Sequence, residues 1–114
     1  MKIAAFALVL GAAWTVGAGR AVAQTPDGQA VFHDECRKCH GVAGKPTHFA
    51  LSLYKEIPTF DAKFFAGIGL DSIVAVLDHG AGKNMKPFKG KLSPAEITAV
   101  AKYVKDTFGA PARP

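Results

Sequence analysis

The sequence predicts a small, all-α, loop-rich domain of three to four helices. One segment near the C-terminus carries the capping residues and the apolar spacing of an amphipathic helix. No segment alternates polar and apolar residues over a useful strand length. Glycine and proline recur through residues 41–70, which predicts a loop there with at most one helical turn.

The N-terminus has the pattern of an export signal. Lys2 is followed by an apolar run from Ile3 to Gly19, and Ala21-Val22-Ala23 supplies the small residues of a cleavage site before Gln24. The alternative is a retained membrane anchor, but the run is short for a span of about 20 residues. We therefore predict a cleaved signal peptide over residues 1–23 and a single domain over residues 24–114.

Composition limits what that domain can be. The chain has 114 residues, a formal net charge of +5 and 20% charged residues, which is typical of a folded domain. Removing residues 1–23 leaves 91 residues and, because Lys2 and Arg20 go with them, a net charge of +3. Two cysteines are too few for a disulfide scaffold. A bound apolar group would help so small a domain to form a core.

Three helices are predicted in this domain. The first begins at Thr25-Pro26 and leads into Cys36, and a short one runs from Ser72 to Asp78, with Asp71 as its cap and Gly80 as its stop. The last helix begins with a capping box, in which Ser93 caps the helix, Pro94 takes the first position and Glu96 the third. Its apolar face is Ile97, Val100, Ala101, Val104 and Phe108, and it ends at Gly109 and Pro111.

The motif that carries chemistry is Cys36-Arg37-Lys38-Cys39-His40, a C-x-x-C-H sequence. This spacing lets two thiols form thioethers with the vinyl groups of a haem while the histidine binds the iron. A thioredoxin-like disulfide needs a βαβ setting, and a zinc site needs more ligands. A structural disulfide is the third alternative. The export signal favours haem, because haem is attached to such motifs outside the cytoplasm.

With these motifs the chain resembles the class I c-type cytochromes, especially the small bacterial kind. The resemblance covers nearly all of residues 24–114, from the first helix and the C-x-x-C-H motif to Gly82–Phe88 and the capped last helix. It implies the small cytochrome c fold, with the helices wrapped around one haem c that Cys36 and Cys39 attach covalently.

The resemblance also implies axial ligands for the iron. The family holds it between the motif histidine, here His40, and a methionine shortly before the last helix. Met85 lies there, 45 residues after His40, and no other methionine occurs in residues 24–114. A His/Met pair raises the reduction potential. The rival ligands are His33, His48 and His79, of which His79 is the strongest and would give a bis-histidine haem of lower potential.

The sequence departs from the family pattern at two positions. Lys86 intervenes between Met85 and Pro87, where the family often has proline directly after the methionine. The family also has a proline about ten residues after the histidine, whose carbonyl accepts the imidazole N–H. Pro46 and Pro58 both miss that spacing, and we assign the contact to Pro58.

Apolar residues are predicted to form a dry pocket around the haem or to pack in the core, with Phe32 and Tyr103 joining the first and last helices. A dry pocket disfavours the more charged oxidised iron and so raises the potential. The predicted pocket residues are Phe32, Phe49, Phe60, Phe64, Phe65, Leu70, Ile73, Val74, Leu77, Phe88, Val100 and Val104.

Four lysines in nine residues suggest a docking surface. Lys83, Lys86, Lys89 and Lys91 have no acidic residue among them. The resemblance places this segment near the haem edge, where it would steer the chain towards an acidic redox protein. The alternative is a solvated loop. The modest charge and the lack of a binding motif argue against nucleic acid.

These observations predict a periplasmic monohaem cytochrome that carries single electrons between redox proteins. We expect a monomer with no membrane span after processing. Nothing in the sequence requires a general acid, base or nucleophile, so we assign no catalytic residue and expect no enzyme. The alternatives are a haem subunit docked on a dehydrogenase or oxidase, and an open-site haem protein that binds a small ligand or acts as an enzyme, in which Met85 does not bind the iron.

Overall fold

The computed structural model describes residues 11–14, 17, 19 and 24–111. The predicted signal peptide falls mostly outside the described residues, so its cleavage stays a prediction. The described part is helical, with two isolated β-bridges and no strand. Its helices are α1 (Gly28–Glu35), α2 (Arg37–His40), α3 (His48–Leu53), α4 (Ala62–Phe65), α5 (Leu70–His79) and α6 (Pro94–Phe108). The all-α prediction is confirmed, but the described residues form six helices rather than three to four.

The additional helices are short and begin at side-chain caps. Thr47 Oγ1 accepts a hydrogen bond from Ala50 N at 3.1 Å and begins α3. Asp61 Oδ1 accepts one from Phe64 N at 2.7 Å and begins α4. The prediction of one helical turn in residues 41–70 was wrong because these caps begin helices between the glycines and prolines.

Two predicted helix starts also need correction. α1 begins at Gly28 rather than at Thr25-Pro26, because the Asp27 carboxylate accepts a hydrogen bond from Gln29 N at 2.9 Å and caps the helix. α5 begins two residues earlier than predicted, with Gly69 as its N-cap, so Asp71 lies inside the first turn and not at the cap. A carboxylate there still interacts favourably with the positive end of the helix dipole.

The predicted last helix is confirmed as α6. Ser93 Oγ accepts a hydrogen bond from Glu96 N and Glu96 Oε1 accepts one from Ser93 N, both at 3.1 Å, which is the reciprocal capping box. Pro94 takes the first helical position, and Gly109 caps the C-terminal end.

The core forms where α6 packs against α1 and α5. Phe32 of α1 lies 5.5 Å from Tyr103 and 5.4 Å from Phe108 between ring centroids, which confirms the predicted contact between the first and last helices. Gly28 allows the close approach, because a Cβ there would collide with the carbonyl of Ala99. The buried cluster is Phe32, Phe65, Ile73, Leu77, Leu92, Ile97, Val100, Ala101 and Val104.

Candidate functional site

The C-x-x-C-H motif is folded into one helical turn. Cys36 ends α1 and caps α2, and its carbonyl accepts hydrogen bonds from Cys39 N at 3.2 Å and His40 N at 2.9 Å. Cys36, Cys39 and His40 are all half-buried, and both cysteines are free thiols. The short helix therefore brings the two thiols and the imidazole together.

The Cys36 thiol is protonated at neutral pH. Burial raises its pKa to about 11, with smaller contributions in the same direction from Glu35 and Cys39, and Lys91 opposes them. Reactive redox cysteines have a lowered pKa, because the thiolate is the nucleophile. The environment of Cys36 therefore does not favour the thioredoxin-like alternative.

The His40 imidazole has the protonation state and the surroundings of a metal ligand. Burial lowers its pKa, which favours the neutral ring, the form that binds metals. The Phe60 ring stacks on it at 4.4 Å between centroids and 16° between planes. Its Nδ1 is buried and has no hydrogen-bond partner among the described residues. A buried polar atom of this kind needs a partner, and an imidazole beside two free thiols fits the donor set for a covalent haem.

The predicted contact between His40 and Pro58 was wrong. Nδ1 accepts and donates no hydrogen bond within the described structure, so the Pro58 carbonyl does not orient the ring. Phe60, two residues after Pro58, makes the contact instead. Its backbone N donates to Gly44 O at 2.8 Å, which ties this segment beside the motif and places the Phe60 ring against the imidazole. The imidazole of His40 is therefore contacted by an aromatic ring, and its Nδ1 makes no hydrogen bond to a carbonyl of the described residues.

The loop that contains Met85 begins at the end of α5. Ala81 and Met85 exchange two backbone hydrogen bonds, at 3.0 and 3.2 Å. Gly80 makes this turn with φ 80°, and a Cβ on it would lie 2.5 Å from Met85 O. The Met85 side chain is half-buried and packs against the core cluster. The fold therefore directs the methionine inwards from a tight turn.

The chain after Met85 is fixed to both neighbouring helices. Phe88 N donates to the carbonyl of Leu77 in α5 at 2.8 Å. The Phe88 carbonyl accepts from Lys91 N and Leu92 N, each at 2.9 Å, and Leu92 is buried directly before the Ser93 cap of α6. The methionine loop is therefore held at one end by α5 and at the other by α6.

The rival ligands are placed differently from Met85. His33, His48 and His79 all have exposed side chains. His33 lies at the end of α1 with its Nδ1 3.7 Å from Asp34, and His79 ends α5. Met85 is half-buried and contacts the core, so its placement favours it over the three histidines as the second ligand.

Most of the predicted pocket residues join the core or pack against it. Phe49 and Phe64 are more exposed, at 50% and 38%. Lys38 Nζ lies 5.0 Å from the centre of the Phe49 ring, and the Phe64 ring lies 4.9 Å from that of the buried Phe65. The residues confirmed in the core or against it are Phe32, Phe60, Phe65, Leu70, Ile73, Val74, Leu77, Phe88, Val100 and Val104.

The structure changes the account of the positive charges. Lys91 differs from the other three lysines because its Nζ lies 2.7 Å from Glu35 Oε2, which partly neutralises its charge. Sequence reasoning missed a second basic group, Arg37, Lys38 and Lys45, whose exposed side chains line a groove of about 770 Å³ beside the motif. The signal was present in the sequence, since no acidic residue occurs between Cys36 and Lys55.

Comparison with known proteins decides the family. A family model described as cytochrome c oxidase, cbb3-type, subunit III matches residues 23–104. The chain belongs to this family of c-type cytochromes. It is 37% identical over 79 residues to cytochrome c6 of Leptolyngbya boryana, a match that covers 69% of this cytochrome and 87% of that relative.

Solved structures show the same fold. The KustC0563 c-type cytochrome superimposes with a TM-score of 0.65 at 32% identity, covering 73% of this chain and 99% of that one. A substituted variant of the same protein gives a TM-score of 0.63 at 34% identity, covering 70% and 96%. The protein is thus a small class I cytochrome with one covalently bound haem c and its iron. In the described part of the chain, no helix has the length and apolar character to cross a membrane.

Proposed function

We propose that this cytochrome carries single electrons through a haem attached by Cys36 and Cys39 and ligated by His40 and Met85. The observation that carries the proposal is the placement of Met85, whose side chain is half-buried against the core while the three rival histidines are exposed. When bound, the haem supplies an iron that cycles between the ferric and ferrous states.

The chain's own residues set the conditions for that exchange. The half-buried Cys36 and Cys39 provide thioether sulfurs from one turn, and the neutral His40 ring provides a nitrogen. Phe60 covers one face of the imidazole, and Phe88 packs against the core beside Leu77. With a nitrogen and a sulfur ligand in place, the site has no role for a general acid or base. We therefore propose an electron carrier and not an enzyme.

The ligand assignment is tested by spectroscopy and redox titration. The oxidised protein should show the weak red charge-transfer band of methionine–iron ligation. Met85→His should keep a low-spin haem, lose that band and lower the reduction potential, because an imidazole favours the ferrous iron less than a thioether does. His79→Gln is the matched control and should leave the band and the reduction potential unchanged. A missing band in the wild type, or a band lost in His79→Gln, would show that Met85 is not the ligand.

We propose an acidic redox protein as partner, met by the free lysines before α6. Lys83, Lys86 and Lys89 are exposed, and the exposed Arg37, Lys38 and Lys45 add a second positive surface. Replacing Lys83, Lys86 and Lys89 by glutamine should slow electron transfer to an acidic partner at low salt, roughly tenfold, and flatten its salt dependence. Lys102→Gln removes one charge from α6, where Lys102 pairs with Asp106, and should change the rate little. If the rate of electron transfer depends on salt concentration equally in all variants, this docking surface is refuted.

The proposed location is the periplasm, after cleavage of residues 1–23. The support is the basic, apolar and small-residue pattern before Gln24. Sequencing the N-terminus of the protein from an osmotic-shock fraction should give Gln24 as the first residue. A protein that keeps Met1 and sediments with membranes would instead favour the retained anchor.

A second candidate is a haem subunit docked on an oxidase. The observation that favours it is the description of the matching family, which names an oxidase subunit. Size-exclusion chromatography of gently extracted protein separates the two. Elution at the size of a free small cytochrome supports the mobile carrier, whereas elution in a large complex with oxidase activity supports the subunit.

A further inference from the structure

We propose that the ion pair between Glu35 and Lys91 is a positioning element that holds Met85 in place. This inference rests on the proposed ligation by Met85. Glu35 is the last residue of α1, next to the thioether cysteine Cys36, and Lys91 lies in the segment that follows Met85. The pair therefore joins the two segments that the haem must bridge.

The two segments also meet in the core, because Leu92, next to Lys91, and Phe32 of α1 belong to the same buried cluster. Among the described helices, α1 packs against α6 and α2, but it does not pack against α5, the helix that leads into the methionine loop. Glu35 lines an open cleft of about 420 Å³ between α1 and the start of α6, with Leu92 and Ser93 opposite it. The ion pair therefore adds a polar link beside this open cleft to the apolar contacts of the core.

The carboxylate of this pair is better shielded from water than the carboxylates of the other ion pairs among the described residues. Lys91 Nζ and Glu35 Oε2 are 2.7 Å apart, and 28% of the Glu35 side chain is exposed, so the carboxylate is partly shielded from water. The other two pairs, His33–Asp34 and Lys102–Asp106, join neighbours within one helix and are more exposed. The Glu35–Lys91 pair connects residues far apart in the chain.

A contact through Phe88 links the ion pair to the methionine loop. Lys91 Nζ lies 5.6 Å from the centre of the Phe88 ring, and Lys91 N donates to the Phe88 carbonyl. Phe88 follows Met85 by three residues and is anchored on Leu77. Breaking the ion pair frees the Lys91 side chain from Glu35 and loosens the segment that presses Phe88 and Met85 against the core.

The expected effect is a methionine that other ligands displace more easily. Imidazole competes with Met85 for the oxidised iron, so its affinity reports how firmly the methionine is held. Glu35→Gln and Lys91→Gln should each raise the affinity for imidazole roughly two- to fivefold, the range that a partly exposed ion pair can supply. Without imidazole both variants should keep the red charge-transfer band.

Matched variants separate this role from general effects of charge or stability. Lys89→Gln removes an unpaired lysine two residues away, and Lys102→Gln breaks the exposed pair on α6. Both should bind imidazole as the wild type does. Combining Glu35→Lys with Lys91→Glu restores a pair of reversed sign and should bring the affinity back to within about twofold of the wild type.

The outcomes are distinct from those that test the ligand itself. If the wild type lacks the red band, Met85 is not the ligand and the proposed function fails. If the band is present but Glu35→Gln and Lys91→Gln bind imidazole like the wild type or like Lys89→Gln, the ligand assignment stands and the positioning role is refuted. If the charge-reversed double variant binds imidazole as tightly as the single variants do, the positioning role is refuted as well.

Discussion

The two sides of the proposed haem site are built in different ways. His40 shares one helical turn with both cysteines, and the bonds that place it join residues within four positions of one another. Met85 comes 45 residues later, and its loop depends on Ala81, on Leu77 of α5 and on the start of α6. One side is therefore local, and the other exists only when the tertiary fold is in place. Local structure resists perturbation elsewhere in the chain, whereas the methionine side should be the first to loosen.

Removing the cysteines should have the largest effect. Cys36→Ser combined with Cys39→Ser leaves the helical turn intact but offers no sulfur for a thioether. We expect complete loss of covalently bound haem, measured by haem staining of the denatured protein. The single variants are the controls and should each keep one attachment. Covalent haem in the double variant would contradict the assignment of these cysteines.

A glycine substitution tests the methionine side. Gly80→Ala places a Cβ against Met85 O at a residue with φ 80°, and should destabilise the protein by about 1–3 kcal/mol while weakening the red charge-transfer band. The matched control is Gly82→Ala, in the same loop with φ 57° and open space around it, which should cost only about 1 kcal/mol. Thermal unfolding measures the loss of stability, and the intensity of the red charge-transfer band reports the ligation by methionine. Equal losses in both variants would mean that the contact with Met85 does not matter.

The smallest effect is expected on the motif side. Thr47 caps α3, and its hydroxyl also donates to the Lys38 carbonyl in α2 at 2.7 Å. Thr47→Ala should cost about 1 kcal/mol, as the loss of an N-cap usually does, and leave the red band unchanged. Ser52→Ala is the control, since its hydroxyl only bonds back to Phe49 O within α3. A weaker band in Thr47→Ala would show that the two sides are coupled more tightly than their contacts suggest.

The sequence allowed the local features of this site to be predicted better than the tertiary ones. The capping box of α6 and the C-x-x-C-H turn each involve residues at most four positions apart, so both can be recognised from the sequence. The resemblance pointed to the loop that contains Met85, and ligation by Met85 stays a prediction. The starts of α3 and α4 were missed because a single threonine or aspartate cap gives a weak signal among glycines and prolines.

The contacts between distant segments could not be predicted. Nothing local in Phe60 indicates that its ring stacks on His40, and the expected Pro58 carbonyl was inferred from the family resemblance, although Pro58 misses the family's spacing. The four lysines before α6 were equivalent in sequence, yet one of them pairs with Glu35 across the fold. Charge counting finds basic residues but not which of them are already neutralised.

The contact between α1 and α6 also has a consequence for the order of assembly. These are the first and last helices described, and Phe32 meets its partners Tyr103 and Phe108 about 70 residues later in the chain. Bringing the two ends of so long a segment together costs conformational entropy. The contacts between the two helices offset that cost only once both helices have formed. A chain that emerges N-terminus first presents Cys36 and Cys39 long before α6 can cover α1. Both thiols are thus available for covalent chemistry before the last helix docks.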